Sequence, residues 1–168
     1  MIENEDQAAL RDWITKGLEI AAVRNLKGNS GYLLNNMIAK YTLYNDEYYI
    51  SERALEKLNS DNIDLDKRYS RISFYGSKKP YIYEHAIPAK VIRDLLLKCK
   101  SNEVKSIFDK AGIVALILKE EDKELNNCDL KSKMPDGWEI GDDPKLRYKK
   151  AGIDISEKKL KVQGAIYR

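Results

Sequence analysis

Glu84 and His85 stand side by side in the stretch YIYEHAIPAKVIRDLLL, three residues ahead of Pro88, and His85 is the one histidine of the chain. The carboxylate of such a pair can hold a divalent metal, while the neutral imidazole can take a proton from water. Pro88 restricts the backbone just beyond the pair, which favours a fixed geometry. Adjacent strand residues point to opposite faces, so the two share a site only if the strand ends or bulges there. The competing reading is an inert, hydrogen-bonded histidine at a strand end.

The elements that must position the pair follow from the pattern on either side of it. RISFY and YIYEHA read as strands, joined by GSKKP into an antiparallel hairpin. Pro88 suits the first turn of a helix continuing through AKVIRDLLLKC, with Val91, Ile92, Leu95 and Leu96 at helical spacing. A further helix, NEVKSIFDKA, ends at Gly112, and the unbroken apolar run IVALIL reads as a buried strand feeding a short acidic helix, KEEDKELNN.

Upstream, apolar residues at three- and four-residue steps (Leu10, Trp13, Ile14, Leu18, Ala21, Ala22) predict a helix from about Glu5 to Leu26. It stops at KGNSG, where Gly28 offers a C-terminal cap and Asn29 or Ser30 a new start. A second helix over Tyr32 to Tyr41 turns Leu33, Leu34, Met37 and Ile38 inward. The tyrosines Tyr41, Tyr44, Tyr48 and Tyr49 follow in acidic company, which suits packing at the core edge better than base stacking. Ser51 caps the short helix ISERALEKL.

Downstream, MPDGW is a turn anchored by Trp138, and GDDPKLRYKKAGI is a helix with Asp143 as N-cap, Pro144 at its first position and Gly152 after it. IDIS and LKVQGAIY make a terminal hairpin through EKK. The class is α+β, in one domain over 1–168: a helical subregion at 1–60, a core at 70–128 and a basic C-terminal extension at 129–168.

YEHAIP resembles the first motif of the HNH, or ββα-metal, nucleases, in which an acidic-His pair closes a strand and a proline follows. The resemblance covers Tyr81 to Asn127. It implies that Glu84 is a metal ligand and His85 the general base that activates water against a phosphodiester. The family's following strand and helix correspond to IVALILKEEDKELNN, and the helix supplies a further ligand. With no second histidine in the chain, that ligand falls to Glu121 or Asp122, and oxygen donors suit Mg²⁺ or Mn²⁺.

Net charge is +3, from 30 basic and 27 acidic residues, too balanced to imply a nucleic-acid partner by itself. Basic residues do concentrate late: Lys145, Arg147, Lys149, Lys150, Lys159 and Lys161 could contact a DNA or RNA backbone, or form a solvated face. No GxxxxGK[ST], GxGxxG or GxSxG occurs, so the common glycine-dependent phosphate loops and the nucleophile elbow are absent. Cys99 and Cys128 show no metal or redox spacing, and reduced thiols suggest the cytoplasm. The acidic N-terminus is unlike a signal peptide, and no apolar run reaches the ~18 residues of a membrane span. Two functions stand as expectations: a metal-dependent nuclease, or a non-catalytic regulator or inhibitor of bacterial or phage kind that binds a protein partner.

Overall fold

The computed structural model describes residues 3–24, 30–74 and 76–163. Its α+β architecture is a five-stranded mixed sheet with helices on both faces and a helical layer at one end. The elements are α1 (Glu5–Arg24), α2 (Ser30–Leu43), β1 (Glu47–Ser51), α3 (Glu52–Ser60), β2 (Tyr69–Ser70), β3 (Tyr81–His85), α4 (Ala89–Leu96), α5 (Val104–Ala111), β4 (Val114–Leu118), α6 (Lys119–Asn127), α7 (Leu146–Lys150) and β5 (Ile155–Gln163). The proposed cap Gly28, with Asn29, lies outside the described residues.

Strand order is β2-β5-β1-β4-β3. β1 runs parallel to β4 and antiparallel to β5, and β3 runs antiparallel to β4. Alternation along the strands sends Tyr48, Ile50, Leu116 and Leu160 to one face, against Ala54, Leu55 and Leu58 of α3. Ala115 and Ile117 go to the other, against Leu125 of α6 and Tyr148 of α7. A third cluster joins Ile14 of α1 and Ile38 of α2 to Ile92 and Leu96 of α4 and Phe108 of α5. Tyr41 stacks on Phe108 there, with ring centroids 3.9 Å apart.

Two expected hairpins are corrected. RISFY is not a strand: Arg71–Ser73 form a 3₁₀ turn, Tyr75 lies outside the described residues, and the two-residue strand β2 just before them sits at the opposite edge of the sheet from β3, with three strands between them. The end of IDIS, EKK and LKVQ form one strand, β5, rather than a turn between two, and residues 164–167 of the expected LKVQGAIY strand lie outside the described residues. Tyr49 of β1 pairs with Lys159 and Ser51 with Ile155, so β5 carries three residues where β1 has one, and the chain bulges at EKK instead of turning. The "extension" at 129–168 therefore supplies a strand bonded directly to the central β1.

One inward assignment also changes: Leu33 is 63 % exposed, because Leu34 beside it takes the core position of its helix. On α1, Trp13 is 73 % exposed while Ile14 beside it is buried. The helix GDDPKLRYKK begins later than its proline suggests: Asp143 accepts from the Lys145 amide at 2.9 Å in a turn, and α7 starts at Leu146.

Ser51 caps α3 as its type and position suggest. Its Oγ accepts from the Ala54 amide at 3.1 Å and donates to Glu121 Oε2 at 2.5 Å, tying α3 to α6 across the end of β1. Ser51→Ala removes both bonds from a fully buried site and is expected to cost about 2 kcal/mol in urea unfolding.

Candidate functional site

β3 carries Glu84 and His85 to its last two positions without interruption. It pairs with β4 in unbroken register from Tyr81↔Leu118 to His85↔Val114. Strand alternation therefore holds, and the two side chains leave on opposite faces of the sheet. Glu84 shares its face with Ile82, above α6 and α7, whereas His85 shares its face with Tyr81 and Tyr83.

The face bearing Glu84 is organised by Arg147 of α7, whose side chain has no exposure at all. Its planar guanidinium directs its donors at five acceptors. Nη2 donates to Glu84 Oε1 at 2.5 Å and to the carbonyl oxygen of His85. Nε donates to the Ala86 carbonyl at 2.9 Å, and Nη1 to the carbonyls of Leu130 at 2.8 Å and Lys131 at 3.2 Å. Only arginine offers a rigid fork able to reach so many oxygens at once. Burial pushes the Glu84 carboxyl above its ordinary range, while the adjacent guanidinium pulls it back.

Asp122 lies close enough to Glu84 for its charge to raise that carboxyl further. Its Oδ2 accepts from Lys131 Nζ at 2.9 Å, and its Oδ1 is buried without a hydrogen-bond partner. Glu121 turns back to cap its own helix, accepting from the Leu118 amide at 2.7 Å and from Ser51 through the same oxygen. One oxygen each of Glu84, Glu121 and Asp122 is thus held by an in-chain donor, while Glu121 Oε1, like Asp122 Oδ1, is buried without one. Among the described residues, no three His, Cys, Asp or Glu side chains assemble into a group that could hold a metal ion.

On the other face, the His85 Nε2 lies 2.8 Å from Thr42 Oγ1 of α2. Desolvation, with the positive charge of Arg147 adding to it, lowers the imidazole to about 4. The ring is neutral at pH 7, as a base must be, but it faces a threonine of the helical layer and not the carboxylates.

The expected basic contact surface divides in the same way. Arg147 leaves it, being wholly buried. Lys149 and Lys150 are exposed. Lys145 and Lys159 both sit over the Tyr49 ring, at 5.3 and 5.2 Å, and pair with Glu157 and Glu47. Lys161 lies 3.9 Å from Asp66. A cleft of about 430 Å³ opens beside Tyr49, Tyr44 and Asn45, where Asp46, Glu47 and Asp109 answer to Arg68, Lys159 and Lys105.

Sequence reasoning did not single out Arg147 as a buried residue. A faint signal existed: it is the one arginine between Lys145 and Lys161, in a segment otherwise furnished with lysines. Thr42 carried no signal, since nothing local announces a partner 43 residues away.

Two measurements check this geometry. Arg147→Lys keeps the charge but not the fork, and is expected to lose about 3 kcal/mol or more of stability by denaturant unfolding. His85 binds its proton near pH 4 when folded and near 6.5 when unfolded, so the unfolded chain holds more protons in between. Stability is therefore complete above pH 6.5, falls by about 3 kcal/mol as pH drops from 6.5 to about 4, and loses nothing further from this group below that. A His85→Gln chain should lack that component of the pH profile.

No family model matches the chain, and neither a curated protein nor a solved structure matches it.

Proposed function

We propose that the chain is a non-catalytic protein-interaction module, acting as a regulator or inhibitor through a surface on its N-terminal helices. The observation that carries this reading is Trp13, 73 % exposed on α1, with Ile20 49 % exposed two turns further along the same stripe. A large aromatic ring left in water is costly to maintain for packing alone, and tryptophan is the side chain most enriched at interface hot spots. The chemistry-bearing residues support the same reading from the other side: Glu84 and Arg147 pair beneath the surface, and His85 bonds to Thr42.

A metal-dependent nuclease is the second reading. One observation favours it: Glu121 Oε1 and Asp122 Oδ1, on α6 beside the face that bears Glu84, are buried without a partner.

One preparation separates the two. The purified chain, incubated with supercoiled DNA or single-stranded RNA and Mg²⁺ or Mn²⁺, is expected to leave both uncut. Immobilised wild type is expected to retain a bound protein that Trp13→Ala retains about tenfold less well. Divalent-dependent cleavage that disappears in a folded His85→Gln chain would overturn the interaction reading.

A further inference from the structure

We propose that the Trp13–Ile20 face of α1 pairs with the same face of a second copy of this chain, antiparallel, with Trp13 of each copy seated over Gly17 of the other. The pairing deepens the interaction reading and rests on it for the choice of surface. The helix itself names the partner.

At 3.6 residues per turn, positions 9, 13, 16, 17 and 20 share one sector of α1, roughly 100° wide. Ala9, Lys16 and Gly17 are exposed there beside Trp13 and Ile20. Gly17 stands well inside a twenty-residue helix, where glycine weakens the element. A Cβ built on it would meet nothing within 4 Å, so nothing in the chain's own packing requires a glycine. The helix thus presents a bare notch one turn from a protruding indole.

A two-fold axis at the level of Thr15, midway between 13 and 17, brings Trp13 of one copy to the height of Gly17 on the other. That operation sets Ile20 within one residue's rise of Ala9, and Lys16 within reach of Asp12 on the same side of the seam. One symmetry element therefore matches bulky to small twice and cation to anion once. Parallel pairing would instead oppose Trp13 to Trp13, Gly17 to Gly17 and Lys16 to Lys16. Asp12 is 62 % exposed, with Oδ1 already accepting from Arg11, so the contact lies at the rim, where charge sets register more than affinity. One helix face per copy is smaller than the ~800 Å² that each partner buries in a standard interface, so the dimer is weak and concentration-dependent.

Sedimentation velocity of the full chain from about 10 to about 500 µM tests the pairing, and the mass of the wild type is expected to climb from monomer towards dimer. Gly17→Gln fills the notch while improving the helix, so it should stay monomeric and melt about 2 °C higher, which separates a lost interface from a damaged fold. Lys16→Glu should weaken the dimer only about threefold, and Asp12→Lys combined with Lys16→Glu should restore it to the wild-type level. A wild type that stays monomeric throughout overturns self-pairing, as does a Gly17→Gln chain that dimerises like the wild type. Neither result touches the Trp13-dependent capture of another protein or the cleavage assay, on which the interaction reading stands or falls.

Discussion

The structure depends on one buried cation. Arg147 reaches from a five-residue helix near the end of the chain to the last turn of β3 and to the loop after α6, and its donors end on four carbonyls and one carboxylate. A guanidinium taken out of water is tolerable only when its donors and its charge are answered together. Glu84 answers the charge, and the carbonyls of His85, Ala86, Leu130 and Lys131 answer the remaining donors. These carbonyls lie at the end of β3 and where the chain leaves α6. The same five contacts therefore satisfy the cation and fix two loops that the sheet leaves open.

That constraint changes the meaning of the Glu-His pair. Neighbouring strand residues diverge unless something bends the backbone, and the β3–β4 ladder runs straight through both. Glu84 belongs to the layer of α6 and α7, and His85 to the layer of α2. The shared origin of the two in sequence masks a separation by the thickness of a sheet, and each has a partner from a distant part of the chain. A short motif of adjacent residues specifies chemistry only when the backbone between them turns.

Much of the local structure was legible because its causes are local. The serine before ERALEKL, the proline before AKVIRDLL and the unbroken IVALIL each mark their element by a capping, conformational or burial rule that needs no distant partner. What was not legible depends on partners far away in sequence. RISFY and YIYEHA look like a hairpin by composition, yet RISFY is a 3₁₀ turn, and β5, β1 and β4 take the middle of the sheet, leaving β3 and the short β2 before that turn at opposite edges. The EKK turn signal fails because β1 holds both sides of it in register and absorbs the extra residues as a bulge. Arg147, read among lysines as part of a charged face, is buried because its acceptors arrive from segments about 16 and 61 residues away. The exposed Trp13 is the mirror case: helical periodicity identifies an apolar stripe, but Ile14 next to it takes the core, and the indole is left on a surface.

The central claim is that Glu84 exists to neutralise Arg147, and a double-mutant cycle in denaturant unfolding with Glu84→Gln, Arg147→Met and their combination tests it most directly. A coupling of about 2 kcal/mol or more is the expected result, with the double variant more stable than the Glu84→Gln single variant, in which Arg147 faces a neutral amide. A coupling below about 0.5 kcal/mol would contradict the account, since Glu84 would then be independent of the cation it touches.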